Sequence, residues 1–479
     1  MEQERQERGT QDTQWSQRIP KPQSTQKTYE GLRQRPTLLP GLGLVIRAVT
    51  SRSLKTRILL VMALAFALRL AAVLTIDDPQ MVPRDLEESD APSYYVLADH
   101  LLDGTGYRYA PGEAPTAKRP PGYPLFLAAT FKVAGHNFTA ARIFQCLIDV
   151  ATAYLVFGLS LLLFGSSAAA LLAALAYALY FPAIENTTYI LPESLYTFFL
   201  AGAVTVTILA MRAGSYFLYA VAGIVFGAAT MISAGGYLLP LVLAAVGTVV
   251  TPWIGLDRGV GRVIGDRRSA GIGLVSWRGL LIMLAAFAVA MLPWVLRNQS
   301  SLGRPVITTT LAGANLYKGS HLATQGTYRW AADSLFTPDL RARTAKVSEA
   351  EKDRILRAEA GRTMLANKAG VLLNDLKKIP RLWFDLGAKG GPTRRTWALA
   401  AAHVLIIGLA AYALLDMAPD ARRLSFVPVT AVLFLTAVYL TVACTARLAY
   451  PLVAIILPHS ALGLVRIGSQ LGLGRKPEQ

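Results

Sequence analysis

The first candidates for chemistry in this chain are acidic and basic side chains that stand beside long apolar runs. Asp90 lies in a polar stretch, 89–124, that is rich in acids, tyrosines and prolines. A carboxylate can accept a proton from an attacking hydroxyl, and the planar guanidinium of arginine can bind a phosphate through two charge-assisted hydrogen bonds. Further polar candidates occur at 118–124, 185, 193, 297–298, 315–318 and 447. Gathered at one membrane face, such side chains fit group transfer from a lipid-linked phosphate.

Each of these side chains also has a structural explanation. After Asp90, apolar residues recur at helical spacing until Gly104; the repeat consists of Tyr94, Leu97, Ala98, Leu101 and Leu102. This spacing predicts a short amphipathic helix on the membrane surface, with Asp90 at its N-cap. Arginines at span ends often snorkel to the interface, and Arg69, inside the first apolar run, can do the same or face a cavity. The local sequence therefore leaves Asp90 open as a helix cap or as a base.

The composition indicates a membrane protein. Of 479 residues, 53% are hydrophobic and 16% charged, and the mean hydropathy is +0.39, outside the balance of a soluble globular protein. The net charge of +18 comes from basic residues at span ends, in the N-terminal tail and in one long loop. Membrane lipids and phosphate ligands are therefore expected as partners, and nucleic acid is not. Cys146 and Cys444 fall in predicted spans, so no disulfide framework is expected.

The apolar runs predict an all-α polytopic membrane protein with about ten transmembrane helices, since about 20 residues cross a hydrocarbon core. The runs lie at roughly 58–76, 141–164, 168–188, 191–211, 216–236, 237–253, 279–296, 397–415, 425–443 and 448–466. An even number of spans puts both termini on one side. Arginines in the short connections on that side, such as Arg212, Arg262 and Arg422, follow the positive-inside rule. The tail is accordingly predicted to be cytoplasmic and disordered.

Two long segments face outward on this topology: 77–140, here the first long loop, and 297–396, here the second long loop. The expected divisions of the chain are the tail 1–56, a catalytic transmembrane module 57–296 with the first long loop, the second long loop, and C-terminal helices with a short cytoplasmic tail at 397–479. Within the second long loop, 349–376 is predicted to be helical and 377–384 to anchor at the interface. The short connections and the lack of a soluble domain favour a bacterial inner membrane, with the site on the extracytoplasmic side.

Several motifs share an order and spacing that resemble a known superfamily. They are Asp90 with the tyrosine-bearing helix and Gly104-Thr105-Gly106, Arg119-Pro120-Pro121-Gly122-Tyr123-Pro124, Arg142 with Asp149, Pro192-Glu193-Ser194, Pro293-Trp294-Val295-Leu296-Arg297-Asn298, Gly313-Ala314-Asn315-Leu316-Tyr317-Lys318-Gly319, and Arg447 before Pro451. Over roughly 58–458 the chain resembles the GT-C superfamily of membrane glycosyltransferases, in the branch of protein O-mannosyltransferases and lipid A aminoarabinose transferases. The resemblance implies the GT-C fold and a polyprenyl-phosphate sugar as donor.

The resemblance also implies residue roles. Asp90 matches the catalytic base, and Glu193 matches a second acid that borders the site. Arg119 or Lys118, together with Arg297, match positions near the donor phosphate. Related sequences often carry an arginine near Ile232-Ser233-Ala234-Gly235, which this chain lacks, and Arg447 is the predicted replacement. Substrate contacts are expected from Tyr123, Asn315, Tyr317 and Lys318. No cofactor is required, and a divalent cation held by Asp90 and Glu193 is optional.

The implied reaction is a single inverting displacement in which a hydroxyl of a protein, lipid or glycan attacks the sugar and the lipid phosphate leaves. Arginines alone can stabilise that leaving group. Retaining hydrolysis would instead need two closely placed carboxylates, and Glu87, Glu88, Asp99 and Asp103 stay open as the second one. If Asp90 is not the base, Glu193, Glu87 and Glu88 are the alternatives. Two further classes stay open: a lipid or lipid-linked-sugar flippase without chemistry, which would be expected to show internal repeats and broken helices, and a non-catalytic scaffold with the same fold.

Overall fold

The structure is a computed structural model that describes residues 52–76, 90–254, 276–324, 332–384, 393–415, 417–442 and 444–472. Within these ranges the chain is helical, with turns and short 3-10 segments and no β-strand. The predicted all-α class is therefore confirmed. Some predicted features lie outside the described residues: most of the tail 1–56, the connection around Arg262, and the alternative bases Glu87 and Glu88.

Seven of the described helices are long and apolar enough to cross a membrane. They are Arg52–Leu74, Phe138–Phe164, Glu193–Ala213, Trp277–Leu302, Arg394–Leu415, Pro419–Thr441 and Tyr450–Gln470. Three other predicted spans form shorter apolar helices, Ser167–Ala178, Tyr216–Ile232 and Leu239–Ile254, of 12, 17 and 16 residues. Because crossing the hydrocarbon core takes about 20 residues, the predicted number of ten spans is not confirmed. The chain is a multi-pass membrane protein.

Short helices contain more than half of the described residues of the two long loops. They are Ala91–Leu102, Gly122–Ala134, Ala312–Ser320, Pro338–Ala345, Glu349–Ala366, Lys368–Leu376 and Ile379–Phe384, and a further short helix, Phe181–Asn186, precedes Glu193. The helix predicted after Asp90 is confirmed, and Gly104 follows it with a φ of 70°, a left-handed conformation that glycine adopts without strain. The helix predicted at 349–376 is present but is interrupted at Asn367.

A buried ionic network fixes the first membrane helix against the core. Arg69 pairs with Asp149, and neither side chain has any exposed surface. The guanidinium also donates to the carbonyl oxygen of Ala178 at 3.1 Å, while the hydroxyls of Tyr177 and Tyr450 donate to Asp149. Arg69 therefore neither snorkels nor faces a cavity. A charge at this depth is tolerated because an opposite charge and several hydrogen bonds compensate it.

Two glycines let the long loops lie against the ends of membrane helices. A Cβ on Gly122 would lie 2.8 Å from the carbonyl oxygen of Met231, and a Cβ on Gly319 would lie 2.2 Å from that of Thr441. Both distances are shorter than a carbon–oxygen contact permits, so a larger residue would force the backbones apart. These approaches dock the first long loop on the helix that ends at Ile232, and the second on the helix that ends at Thr441.

The described parts of the two long loops contact each other directly. The amide of Thr310 donates to the carbonyl oxygen of Ala117 at 3.0 Å, and Arg297 donates to that of Thr116 at 2.7 Å. Both loops therefore lie at the same end of the helix bundle, which agrees with the placement that the topology predicted.

Candidate active site

Four charged side chains form a continuous series of ion pairs at this end of the bundle. Asp90 Oδ1 lies 2.5 Å from Nη2 of Arg119, and Asp90 Oδ2 lies 2.7 Å from Nη2 of Arg447. Nε of Arg447 lies 3.0 Å from Oε1 of Glu193. These four residues are referred to below as the central ion-pair chain. They come from four separate parts of the sequence, and all four were candidates for phosphate or proton chemistry.

Asp90 occupies the N-cap position of the helix Ala91–Leu102 but does not cap it with its side chain. Its backbone is already helical, with φ −69° and ψ −14°, and its carboxylate reaches arginines that are 29 and 357 residues away. A capping carboxylate would instead accept from backbone N–H groups two or three residues further on. The explanation of Asp90 as a helix cap is therefore wrong.

The helix that follows Asp90 also orients Arg119. Nε of Arg119 donates to Oγ of Ser93 at 2.9 Å, and the guanidinium carbon lies 4.9 Å from the ring centroid of Tyr94. Burial raises the pKa of Tyr94 to about 12, so this ring is a neutral platform for the cation. The side chain of Arg119 is thus fixed on two sides, with its planar fork directed at the carboxylate.

Arg447 and Glu193 are positioned at helix junctions. Arg447 lies in the 3-10 turn Ala446–Ala449, directly before the helix Tyr450–Gln470, and Glu193 is the first residue of the helix Glu193–Ala213. Oε2 of Glu193 is buried and makes no hydrogen bond to any part of the chain that the structure describes. Leaving a buried acceptor unsatisfied costs about 1–3 kcal/mol, and more when it is charged. This oxygen is therefore a ready acceptor for a hydroxyl of a bound ligand.

The electrostatics of the central ion-pair chain are balanced. It contains two basic and two acidic residues, so their formal charges sum to zero. Burial alone would raise the pKa of Asp90, but the positive charges of Arg119 and Arg447 outweigh it and hold the pKa below its ordinary value. In this state Asp90 is a stable carboxylate and a weak base.

Arg297 lies outside the central ion-pair chain, and its guanidinium donates hydrogen bonds to backbone carbonyl groups. Its Nη1 donates to the carbonyl oxygen of Thr116 at 2.7 Å, and its Nη2 to that of Tyr107 at 3.1 Å. The side chain of Lys118 is exposed, and its Nζ lies 5.5 Å from the ring centroid of Tyr109. Of the two alternatives at 118 and 119, only Arg119 reaches Asp90. Phosphate contacts by Arg297 and Lys118 stay predictions.

The predicted substrate contacts are distributed over two places. Tyr123 has no exposed surface, and its hydroxyl donates to Oε1 of Gln145 at 2.6 Å while its ring packs edge-on against Tyr94. Tyr317 is buried in the second long loop and donates to the carbonyl oxygen of Leu335 at 3.1 Å. Asn315 is exposed and Lys318 is half-buried. The structure thus gives both tyrosines packing roles, and substrate contacts by any of these four residues stay predictions.

Glu349 is a residue of this region that the sequence analysis missed. Its carboxylate accepts from the hydroxyl of Thr116 at 2.8 Å and from the amide of Ala117 at 2.6 Å. In the sequence it resembles an ordinary acid in the first turn of a helix, because its partners in the first long loop are more than 230 residues away. No local pattern could have identified it.

Within the described residues, no group of three or more histidine, cysteine or acidic side chains could hold a metal ion. Asp90 and Glu193, the two predicted ligands, contact neighbouring nitrogens of Arg447, Nη2 and Nε respectively. The optional divalent cation stays a prediction.

Fold and site together define a polytopic helical membrane protein with an arginine–carboxylate site at one end of its bundle. Residues 118–255 match the family described as dolichyl-phosphate-mannose-protein mannosyltransferase. The matched segment includes Arg119 and Glu193 but neither Asp90 nor Arg447. It confirms the resemblance to the GT-C superfamily, in the branch that the motifs predicted.

The solved structures that align with this chain are distant in sequence. The oligosaccharyltransferase of Archaeoglobus fulgidus, tethered with an acceptor peptide containing the NVT sequon, aligns with a TM-score of 0.48 and 13% identity over 90% of this chain. The alignment covers 51% of that enzyme, so this chain spans about half its length. ArnT from Cupriavidus metallidurans bound to undecaprenyl phosphate aligns with a TM-score of 0.37 and 16% identity, over 88% of this chain and 81% of that one. A search of curated proteins gave no significant match.

Proposed function

We propose that this chain is a membrane glycosyltransferase that moves a sugar from a polyprenyl-phosphate donor to a hydroxyl acceptor. The observation that carries the proposal is the position of Asp90 between two arginines, at 2.5 Å and 2.7 Å. Two guanidinium groups that converge on one anion form a site suited to a phosphate, and the anion they now hold is a carboxylate able to serve as a base.

The donor phosphate binds to Arg119 and Arg447 in this proposal. Both guanidinium groups are oriented by the protein before the donor arrives, because Arg119 is held by Ser93 and Tyr94 and Arg447 contacts Glu193. Such pre-organised cations stabilise a leaving phosphate without reorganising at the moment of reaction. The phosphate takes hydrogen bonds that Asp90 accepts in the free protein.

Phosphate binding then changes the chemistry of Asp90. Its pKa is low because Arg119 and Arg447 are next to it, and a phosphate on those arginines neutralises their charge. Asp90 becomes the stronger base that the reaction needs. A bond forms between the acceptor oxygen and the anomeric carbon, the bond from that carbon to the phosphate oxygen breaks with inversion, and the hydroxyl proton passes to Asp90. The polyprenyl phosphate leaves with the bonding electron pair.

Glu193 takes a supporting role in this scheme. Its Oε1 contacts Arg447, and its buried Oε2 is unsatisfied. We place a hydroxyl of the donor sugar or of the acceptor on this oxygen, since a ligand hydroxyl would remove the cost of the unpaired acceptor. The same oxygen makes Glu193 the second candidate for the base.

Donor turnover tests the proposal directly. Purified protein is incubated with a panel of polyprenyl-phosphate sugars and a detergent extract of membranes as the source of acceptors, and mass spectrometry follows loss of each donor and release of polyprenyl phosphate. Asp90→Asn protein is the matched control. We expect one class of donor to be consumed by the native protein alone. If no donor is consumed but a lipid-linked sugar crosses the membrane of proteoliposomes, the chain is a flippase.

A further inference from the structure

The segment that leads to Arg119 is fixed by the second long loop from one side. Oε2 of Glu349 accepts from Oγ1 of Thr116 at 2.8 Å, and Oε1 accepts from the amide of Ala117 at 2.6 Å. Oε1 also accepts from Oγ1 of Thr310 at 3.2 Å. Glu349 lies in the first turn of the helix Glu349–Ala366. One carboxylate therefore joins this helix, the segment before Arg119 and the chain at Thr310.

Arg297 fixes the same segment from the other side. It donates to the carbonyl oxygens of Thr116 and Tyr107 at 2.7 Å and 3.1 Å. Its guanidinium carbon lies 5.4 Å from the ring centroid of Tyr107 and 5.1 Å from that of Trp294. Thr116 thus donates its hydroxyl to a carboxylate while its carbonyl accepts from a guanidinium. Both are charge-assisted hydrogen bonds, which are stronger than neutral ones.

The fixed segment extends up to Arg119 without a gap. The carbonyl oxygen of Ala117 accepts from the amide of Thr310 at 3.0 Å, and that of Lys118 accepts from the hydroxyl of Thr309 at 2.5 Å. The carbonyl oxygen of Arg119 itself accepts from the hydroxyl of Tyr107 at 3.0 Å. Every residue from 116 to 119 makes at least one hydrogen bond to the surrounding chain. The segment can therefore move little, and the position that Glu349 gives to Thr116 and Ala117 is passed on to Arg119.

We infer that Glu349 is a positioning residue for Arg119, through which the second long loop controls affinity for the lipid phosphate. This inference rests on the proposed function, since it assigns the phosphate to Arg119. Releasing Thr116 and Ala117 lets Arg119 move out of position, and losing one charge-assisted hydrogen bond to phosphate weakens binding roughly tenfold to hundredfold. Arg297 acts on the same segment, so its predicted importance for the donor is explained without a contact to phosphate.

The test compares Glu349→Ala and Glu349→Gln with Glu351→Gln. Glu351 lies on the same helix, but its carboxylate contacts Arg304 and Arg354 and not the first long loop. We expect affinity for undecaprenyl phosphate to fall roughly tenfold to hundredfold in Glu349→Ala, to fall less in Glu349→Gln, and to stay unchanged in Glu351→Gln. Hydrogen exchange of the peptide that contains Ala117 should accelerate in both Glu349 variants.

A double-mutant cycle with Arg119→Gln decides whether Glu349 acts through Arg119. If it does, adding Glu349→Ala to Arg119→Gln weakens binding little further, whereas independent contributions multiply. The inference would be overturned if hydrogen exchange at Ala117 did not change in the Glu349 variants, or if it accelerated while affinity stayed native. It would also be overturned if the effects of Glu349→Ala and Arg119→Gln on affinity multiplied. If the native protein binds no polyprenyl phosphate, the proposed function and the inference both fall. If it binds and Arg119→Gln weakens binding while the Glu349 variants do not, only the inference fails.

Discussion

Oδ2 of Asp90 accepts a hydrogen bond from Arg447 at 2.7 Å, although the two residues are 357 positions apart. This contact joins the first described residue of the first long loop to the junction before the last described helix. In the proposed function the carboxylate and an incoming phosphate are competitors, because a phosphate on Arg447 would displace the carboxylate that now occupies it. Most of the following predictions depend on this relationship.

Asp90→Asn should abolish sugar transfer while leaving the fold intact. A positioned general base contributes roughly 10²- to 10⁴-fold to the rate, and asparagine is of similar size but accepts no proton. The measurement is turnover at saturating donor, with thermal stability measured in parallel. Asp99→Asn is the matched control, since Asp99 lies on the same helix and its carboxylate contacts His136, at 3.2 Å. Near-native turnover of Asp90→Asn would move the search for the base to Glu193.

The same substitution should tighten binding of the lipid phosphate. The asparagine side chain is neutral, so it no longer competes as an anion with the phosphate for the two arginines. We therefore expect the Kd for undecaprenyl phosphate to fall several-fold in Asp90→Asn, by up to roughly tenfold if the gain is about 1.4 kcal/mol. Fluorescence or calorimetric titration in nanodiscs measures it. A Kd that rises or does not change would show that carboxylate and phosphate do not compete.

Arg119→Gln and Arg447→Gln should each weaken phosphate binding by about 1.5–3 kcal/mol, the range for hydrogen bonds to charged groups. Lysine at either position should recover part of the loss, because it keeps the charge without the planar fork. Arg422→Gln serves as the control, since Arg422 lies near the start of the helix Pro419–Thr441, whose other end contacts the second long loop. Native affinity in both glutamine variants would assign the two arginines to ion pairing alone.

The pH profile should show two different acid limbs. In free protein the pKa of Asp90 lies below its ordinary value because of Arg119 and Arg447, so the active carboxylate persists as pH falls until that low pKa is reached. The acid limb of kcat/KM, which reports the free enzyme, should lie below about pH 4. Bound phosphate neutralises the arginines and raises the pKa, so the limb of kcat should lie at higher pH. If the acid limbs of kcat/KM and kcat coincided, the proposal that phosphate replaces Asp90 on the two arginines would be contradicted.

Labelling from each side of the membrane should separate the two ends of the bundle. Glu113 is exposed in the first long loop, and Asp420 is exposed in the first turn of the helix Pro419–Thr441, at the opposite end of the bundle. We expect Glu113→Cys to react with an impermeant maleimide added to intact cells, and Asp420→Cys only after permeabilisation. The native Cys146 and Cys444 are buried, so their background reaction should be low. Reaction of both variants from the same side would overturn the predicted topology.

Much of the fold followed from local sequence patterns. The apolar runs indicated the membrane helices, and the helical spacing after Asp90 predicted Ala91–Leu102. The number of spans was harder to predict. The helices Ser167–Ala178 and Tyr216–Ile232 end although the apolar run of the sequence continues beyond their last residues. Hydrophobicity reports which residues avoid water, while a helix ends where backbone geometry and packing require it.

The sequence by itself determined the class of the molecule, the motifs of its superfamily and the residue types of its site, because apolar periodicity and motif order are properties of neighbouring residues. Only the tertiary structure decided which charge pairs with which. It placed Asp90 on Arg119 and Arg447 instead of on its own helix, turned Arg297 toward backbone carbonyls, and brought Glu349 to Thr116. A hydrogen bond forms over about 3 Å, a distance set by how helices rotate and dock, and residues hundreds of positions apart carry no local sign of it.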